Sequence, residues 1–362
     1  MPGIEPVSDR TVDVVVIFDT SASQTGRYRD DGLIALKTML ESLNEGCRVK
    51  LMAADVRAVS LTEGFVEPTG AEMVQAVAKL QRRAPLGSTD MNAALRGALD
   101  CFPDGENSLR SIVFIGDGLS RANILQADEF RKLIADLVKN RVSVSSFTIG
   151  PQRDVHLLAA LANHTGGMVF VDSDEDNLAQ RAGVAMADVA PGIVVWPVSV
   201  KLPEAIREAY PSPMPPLRLD RDAILIGILD NRQPQQIAVT AEVAGKQIQL
   251  EWNVTPEPPS EQFGFLPQLI AETRDDDGLT LPTVGSAGLR EAGRMILASA
   301  EDLLKIGINA LKTGDLEGAQ KVVVSVLARD PTNPQALALK RAIEKKKAGG
   351  KIDETPLIIK LK

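Results

Sequence analysis

Residues 12–23 read Val-Asp-Val-Val-Val-Ile-Phe-Asp-Thr-Ser-Ala-Ser. The nearly continuous apolar run predicts a central parallel strand that is covered on both faces. In a parallel sheet of this kind, ligands bind in a crevice beyond the carboxyl ends of the strands. The strand ends in Asp19, Ser21 and Ser23, so one carboxylate and two hydroxyls would reach that crevice. Such an all-oxygen cluster suits a hard divalent cation.

These three side chains also have an interpretation without a ligand. Asp, Ser and Thr are common in the loop after any strand, because they form turns and cap the following helix. Two later segments favour the metal interpretation. Thr89 lies in the Gly-containing loop 86–90, before a predicted helix at Met91–Cys101, and a second buried strand at 111–118 again ends in a carboxylate, Asp117. Three loops at one edge of the sheet are therefore predicted to converge with oxygen ligands.

The arrangement resembles the von Willebrand factor type A family and its metal-ion-dependent adhesion site. The family signature is Asp-x-Ser-x-Ser, then a Thr in a Gly-rich loop, then an Asp after a later strand. The corresponding positions here are Asp19, Ser21, Ser23, Thr89 and Asp117. The resemblance covers residues 10–190 and implies an α/β fold with a Rossmann-like doubly wound sheet. It also implies that the three hydroxyls bind the metal directly, while the two Asp residues often act through bound water.

The chemistry of such a site favours binding over catalysis. Neutral hydroxyls offset little of the charge of the cation, which is expected to be Mg²⁺, or else Mn²⁺ or Ca²⁺. Mg²⁺ requires near-octahedral oxygen ligands and keeps several waters, so one position is open to an incoming carboxylate. The sequence therefore predicts a divalent-metal-dependent adhesion or scaffold protein that binds an Asp or Glu of a partner protein.

A metal-dependent phosphoester hydrolase is one alternative. Haloacid-dehalogenase-type phosphatases also begin with a strand that ends in a carboxylate, but they need a second Asp at the position that Ser21 occupies. The sequence has no Gly-x-Ser-x-Gly elbow and no Gly-x-x-x-x-Gly-Lys phosphate loop. Its two histidines, His156 and His164, lie in a predicted helix at 154–165, far along the chain from the oxygen cluster. We therefore expect no catalytic residue and no enzymatic activity.

Composition limits the classes of partner. The chain has 362 residues and a net charge of −8, which argues against general affinity for nucleic acid or anionic membranes. It contains no apolar run long enough to span a bilayer, and residues 1–5 do not resemble a secretory signal. Cys47 and Cys101 are the only cysteines and imply no disulfide framework. A cytoplasmic protein with free thiols is the expectation.

Residues 193–256 have a β-rich pattern. Strands are predicted at Ile193–Leu202, Ala223–Leu229, Gln236–Val243 and Lys246–Val254, with a hairpin turn at Ala244-Gly245. Prolines in the segment 210–216 predict an irregular connector, because proline lacks an N–H for strand pairing. The order of these strands resembles the β segment that follows the type A domain in inter-alpha-trypsin-inhibitor heavy-chain-like proteins. We therefore predict a small antiparallel, β-sandwich-like module.

The remaining residues are predicted to be mainly helical. Residues 257–286 are predicted to be a linker with one helix at 263–274, which ends in a solvated acidic turn at 275–278. Residues 287–347 contain a segment, 300–333, that resembles a tetratricopeptide unit, followed by a helix at 334–347. The resemblance rests on Gly307, Gly314, Asp315, Leu316, Ala319, Asp330 and Pro331.

A single tetratricopeptide unit leaves its apolar faces uncovered, because such repeats normally need about three neighbours. A second partner or self-association at the C-terminal helices is therefore expected. A scaffold that acts through these helices, with an incidental metal site, is the second functional hypothesis, and an ordinary helical hairpin is the structural alternative. The tail at 348–362 contains an apolar stretch at 357–361, which is predicted to be a lone strand.

Overall fold

The computed structural model describes residues 11–103, 108–329 and 333–348. The chain divides into two compact units. The first unit comprises residues 1–256 and 276–288, and the second comprises residues 257–275 and 289–362. All strands found among the described residues belong to the first unit.

A six-stranded sheet forms the centre of the first unit, with the strand order β3-β2-β1-β4-β5-β6. Its strands are β1 (Val12–Asp19), β2 (Cys47–Ala54), β3 (Ala58–Ser60), β4 (Leu109–Gly116), β5 (Val142–Thr148) and β6 (Val169–Val171). The pairs are parallel except for the edge strand β3, which is antiparallel to β2. Every residue of β1 is buried, as the apolar run at residues 12–19 predicts.

Six helices cover the two faces of this sheet. They are α1 (Arg27–Ser42), α2 (Ala71–Arg82), α3 (Met91–Leu99), α4 (Ala127–Lys139), α5 (Val155–Thr165) and α6 (Leu178–Val189). Successive side chains of a strand point to opposite faces. Val14, Val16 and Phe18 pack in a core with residues of α1, α2 and α6. Val15 and Ile17 pack in the core formed with α3, α4 and α5. The predicted doubly wound α/β fold is confirmed.

Helix boundaries in this domain follow local capping interactions. The Asp90 side chain accepts a hydrogen bond from the Ala93 amide at 2.9 Å and caps the amino end of α3. Gly166 ends α5 in a left-handed conformation. Helix α6 begins at Leu178, because the preceding residue, Asn177, has a left-handed backbone conformation that is incompatible with a right-handed helix.

The β-rich segment forms a four-stranded sheet of order β12-β11-β7-β9 and a separate two-stranded sheet. Its strands are β7 (Val194–Lys201), β8 (Ile206–Tyr210), β9 (Leu217–Arg218), β10 (Ile226–Leu229), β11 (Gln235–Val243) and β12 (Lys246–Val254). Pairing within both sheets is antiparallel, as predicted. Ala244 and Gly245 both have positive φ, which fits the tight hairpin turn between β11 and β12. Strands β8 and β9 were not predicted, and Tyr210 belongs to β8 rather than to the connector.

The predicted linker at 257–286 is divided between the two units. Residues 276–288 belong to the first unit, where the buried His164 ring nitrogen Nε2 lies 2.9 Å from the carbonyl oxygen of Leu279. The Asn163 side-chain amide donates to the carbonyl of Leu281 at 3.2 Å. The acidic segment forms a turn, in which the Asp276 carboxylate accepts from the amides of Gly278 and Thr280. These buried polar contacts attach the segment to α5.

The second unit is helical. Its helices are α7 (Leu266–Thr273), α8 (Gly285–Thr313), α9 (Leu316–Arg329) and α10 (Pro334–Lys347), and the first turn of α8 lies in the first unit. The single helix predicted at 263–274 is wrong in detail, because 3-10 turns at Glu261–Phe263 and Arg274–Asp276 flank α7. Gly307 permits close packing in this bundle, since a Cβ there would lie 2.8 Å from a Val322 methyl carbon.

The resemblance of the second unit to a tetratricopeptide unit stays a prediction. Asp330, Pro331 and the apolar stretch at 357–361 lie outside the described residues. Gly307 and Ala319 lie in the packed core of α8, α9 and α10, which is where small residues permit close helix contact.

Within the described ranges, no helix is both long enough and apolar enough to cross a membrane.

Arg218 in β9 joins the β-rich segment to the carboxyl ends of α5 and α6. Its side chain is 1% exposed and donates to Asp220 through two nitrogens at 2.6 Å. It also donates to the carbonyl oxygens of Gly166 at 3.1 Å and Val189 at 3.4 Å. Cations are favourable at helix carboxyl ends because the terminal carbonyls carry partial negative charge.

We expect Arg218→Met to lower the free energy of unfolding of the first unit by about 2 kcal/mol, because buried acceptors lose their donor. Arg207→Met is a matched control, because its ion pair with Asp230 is exposed at 63% and 44%. Arg207→Met should lower the free energy of unfolding by less than about 1 kcal/mol. Both tryptophans, Trp196 and Trp252, lie in the first unit, so urea unfolding followed by tryptophan fluorescence measures this unit. Equal losses in the two variants would contradict the prediction.

Candidate metal centre

The five residues of the predicted ligand set meet at the carboxyl edge of the central sheet. Asp19 is the last residue of β1, and Asp117 directly follows the neighbouring strand β4. Ser21 and Ser23 lie in the loop after β1, and Thr89 lies in the loop before α3. Parallel pairing of β1 with β4 fixes the distance between the two acidic residues, because Phe18 pairs with Ile115 just before them.

Hydrogen bonds join the five residues into one connected set, in which the backbone amide of Ser21 links two groups of side chains by donating to Asp19 Oδ1. Thr89 Oγ1 donates to Asp19 Oδ1 at 2.8 Å, and Ser23 Oγ donates to Asp117 Oδ2 at 2.5 Å. The hydroxyl oxygens of Ser21 and Ser23 are 2.9 Å apart. Residues separated by up to 94 positions in the chain are thus in direct contact. The structure brings together all five residues that the sequence pattern selected.

Backbone contacts hold the surrounding loops in place. The Ser21 amide donates to Asp19 Oδ1 at 2.8 Å, and the Leu119 amide donates to Asp117 Oδ1 at 2.9 Å. Gln24 is buried, and its side-chain amide donates to the Ile149 carbonyl at 3.0 Å. That bond fastens the loop after β1 to the end of β5.

Two glycines are needed at the centre and were not recognised from the sequence. A Cβ at Gly116 would lie 2.3 Å from Cβ of Asp19, and a Cβ at Gly150 would lie 2.9 Å from Cβ of Asp117. A side chain at Gly116 would collide with Asp19, and one at Gly150 would collide with Asp117. The available signal was the position of Gly116 directly before Asp117 at a strand end, where glycine permits close backbone approach.

The electrostatics of the centre are unfavourable without a cation. Burial, followed by the negative charge of Asp117, raises the pKa of Asp19 from its ordinary value of 3.8 to about 6. Hydrogen bonds from Ser21 and Thr89 to the Asp19 carboxylate partly offset this increase in its pKa. Asp19 Oδ2 is buried and has no hydrogen-bond partner among the residues that the structure describes. Two neighbouring carboxylates, one with an unpaired buried oxygen, therefore lie in a largely dry environment.

A divalent cation fits these residues. It would accept the unpaired lone pairs of Asp19 Oδ2 and offset the repulsion between the two carboxylates. Two carboxylates and three hydroxyls are hard oxygen donors of the kind that Mg²⁺, Mn²⁺ and Ca²⁺ prefer. Among the described residues no group of three or more His, Cys, Asp or Glu side chains is placed to hold a metal. The candidate centre has only two carboxylates, and its other oxygen donors are hydroxyls.

The two histidines lie in other environments. The His164 ring is buried, and burial lowers its pKa, although hydrogen bonding to the Leu279 and Gly278 carbonyls partly opposes this. Its Nε2 atom lies 3.2 Å from the Gly278 carbonyl oxygen. His164 therefore has a structural role in holding the segment at 276–288. His156 is exposed on α5.

Comparison with known proteins agrees with this fold. The model of the von Willebrand factor type A domain family matches residues 12–170, so the chain contains a von Willebrand factor type A domain. Inter-alpha-trypsin inhibitor heavy chain H2 from Sus scrofa is 24% identical over 162 residues, which are 43% of this chain and 17% of that protein. The Homo sapiens protein of the same name is 20% identical over 162 residues, with the same coverage. The chain thus matches only a small part of these relatives.

A solved structure is similar over most of the chain. It is described as von Willebrand factor type A from Catenulispora acidiphila and is 16% identical, with a TM-score of 0.53. The match covers 96% of this chain and 88% of that one. At this identity the similarity concerns the fold, and it extends beyond the type A domain.

The raised pKa of Asp19 predicts how the metal-free protein responds to pH. Because the folded state binds the Asp19 proton more tightly than the unfolded state, protonation of Asp19 contributes to stability. This contribution is complete below pH 3.8 and is lost as the pH rises through about 6. At pH 7.5 the ionised Asp19 then costs up to about 3 kcal/mol. Asp19→Asn should therefore stabilise the metal-free first unit at pH 7.5 and have little effect at pH 4. Urea unfolding in EDTA, followed by tryptophan fluorescence, measures this difference.

Asp55→Asn is the control for that experiment. Burial raises the pKa of Asp55, but hydrogen bonds from Arg83 and the backbone outweigh this effect and lower it. Asp55→Asn should lower the free energy of unfolding at pH 7.5, whereas Asp19→Asn should raise it. If Asp19→Asn shifts stability equally at pH 4 and pH 7.5, the carboxylate is not under the strain inferred here.

Proposed function

We propose that the type A domain is a divalent-metal-dependent protein-binding module. Asp19, Ser21, Ser23, Thr89 and Asp117 would hold the cation, and a partner protein would supply an Asp or Glu to it. The observation that carries the proposal is the buried Oδ2 of Asp19, which has no hydrogen-bond partner among the described residues and lies near Asp117 and the hydroxyls of Ser21, Ser23 and Thr89. The presence of a von Willebrand factor type A domain supports a role in protein interaction.

Burial of the five residues suggests which side of the cation is open. Asp19, Ser21, Thr89 and Asp117 are buried, whereas Ser23 is partly exposed. A cation among them would have protein oxygens on its inner side and would face solvent beyond Ser23. Mg²⁺ keeps several of its waters in protein sites, and one of them can be exchanged for a carboxylate oxygen. The contact would be charge-assisted and partly protected from solvent.

Mg²⁺ is the cation that we propose, with Mn²⁺ or Ca²⁺ as alternatives. Saturation to ten times the dissociation constant would stabilise the fold by about 1.4 kcal/mol. We expect the midpoint of thermal unfolding, followed by tryptophan fluorescence, to rise in millimolar Mg²⁺. Asp19→Ala and Thr89→Val should abolish the rise. Thr25→Val is the matched control, because Thr25 is an exposed threonine in the loop after β1 and is outside the ligand set.

The outcome that rejects the metal centre is an equal response to Mg²⁺ in the wild type and in Asp19→Ala. A hydrolase, the alternative chemistry, is tested with generic phosphate esters in Mg²⁺ or Mn²⁺. Turnover that Asp19→Asn abolishes would favour the hydrolase over the binding module. Affinity capture from a lysate of the source organism, in Mg²⁺ and in EDTA, then identifies partners that require the metal.

A groove between α9 and α10 supports a second candidate function, a scaffold that acts through the helical unit. The groove has a volume of about 380 Å³ and an apolar wall formed by Val323, Leu327 and Ile343. Val324 also lines it and is 60% exposed. A partner that remains bound in EDTA but is lost in Val324→Lys would favour this function. A partner that is lost in EDTA and unaffected by Val324→Lys would favour the metal centre.

A further inference from the structure

Large apolar side chains project into solvent from three loops around the candidate metal centre. Ile124 is 72% exposed and Leu86 is 67% exposed, the two highest values for large apolar residues in the described part of the chain. Val56 is 56% exposed. Ile124 lies in the loop after β4, Leu86 in the loop before α3, and Val56 between β2 and β3. We call these three residues the apolar rim.

Backbone contacts attach the rim to the loops that carry the predicted ligands. The Leu86 amide donates to the carbonyl of Thr20 at 2.9 Å, and Thr20 lies between Asp19 and Ser21. A Cβ at Gly87, the next residue, would lie 3.2 Å from a methyl carbon of Val56.

The loop that carries Ile124 is attached to the loop of Thr89, another predicted ligand. The amide of Ala122, two residues before it, donates to the carbonyl of Thr89 at 3.2 Å. The rim is therefore part of the same loop assembly as the centre.

Exposure of these residues has no structural benefit to the domain, because exposed apolar groups gain nothing from the hydrophobic effect. Single exposed apolar residues are common on protein surfaces, but the two most exposed ones here both lie on loops that carry the predicted ligands, where a partner would bind. A cation accepts any carboxylate, so the metal alone cannot select one acidic partner from many. Selection requires contacts with the neighbours of the acidic residue.

Charge in the same loops adds a second constraint on the partner. Arg57 follows Val56 and is exposed, and Arg121 is exposed in the loop of Ile124, where it contacts Gln152. Together with a bound cation, these guanidinium groups would attract an acidic segment and repel a basic one. With a cation bound, the surface would combine a positive centre with apolar contacts at its edge.

We propose that the partner is a protein segment whose metal-binding Asp or Glu is flanked by large apolar residues, which pack on the apolar rim. The inference rests on the function proposed above and specifies the class of partner for that site. Leu86 and Ile124 are then determinants of specificity, and Arg57 and Arg121 disfavour Lys and Arg beside the acidic residue.

A displayed library of 12-residue peptides with a fixed central Asp and random flanks tests the inference. The library is sorted against the full chain in Mg²⁺ and again in EDTA. We expect peptides that bind only in Mg²⁺ to be enriched in Leu, Ile, Val, Met or Phe within two positions of the Asp and depleted in Lys and Arg. Metal-dependent peptides with polar flanks, or no metal-dependent peptide at all, would overturn the inference.

Rim variants provide the second test, with the best selected peptide as the probe. The double variant Leu86→Ser with Ile124→Ser should bind that peptide at least tenfold more weakly and should keep the full thermal response to Mg²⁺. Val74→Ser is the matched control, because Val74 is 62% exposed on α2, outside the three loops. It should bind as the wild type does.

The thermal response to Mg²⁺ tests the proposed function, and the affinity for the peptide tests the inference about the apolar rim. If Mg²⁺ does not raise the unfolding temperature of the wild type, the proposed function fails and the inference fails with it. If Mg²⁺ raises that temperature and the double rim variant binds the peptide as tightly as the wild type, only the inference is overturned.

Discussion

The placement of Asp19 and Asp117 at one buried sheet edge is the constraint on which the site depends. Parallel pairing of β1 and β4 brings both carboxylates to this edge, and Gly116 leaves room for Asp19 because it has no Cβ. The fold therefore holds two like charges together in a buried environment, which is visible in the raised pKa of Asp19. Perturbed carboxyl groups of this kind are concentrated at functional sites, where a ligand can relieve the strain.

The rest of the domain resists relaxation of that contact. Both faces of β1 are packed, with Phe18 in one core and Ile17 in the other, so the strand cannot shift without opening a core. The loops beyond the strands are joined to one another by backbone bonds, such as that from Leu86 to Thr20. Relief of the charge repulsion must then come from protonation or from a cation, because backbone movement is blocked.

The sequence predicts this domain well because its signals are local. Buried strands appear as apolar runs, Asp90 and Gly166 mark helix ends, and the ligand types stand at strand ends. Features that depend on tertiary contact were missed. Strand β9 has only two residues and exists through its pairing with β7. The return of residues 276–288 to the first unit depends on His164, which could not be recognised as a partner for carbonyls 114 positions away.

The same electrostatics impose an order on binding. A partner carboxylate that approached the metal-free centre would be a third negative group beside Asp19 and Asp117, and like charges in a poorly solvated site repel strongly. A bound cation would offset the negative charges of Asp19 and Asp117, and the three hydroxyls add no further charge. A partner carboxylate would then no longer be repelled and could bind to the cation. The partner should therefore bind after the metal, and partner binding should in turn strengthen retention of the metal, because coupling between two ligands is reciprocal. In the proposed function the metal would be part of the recognition surface, and the apolar rim would act on a partner that the cation has already oriented.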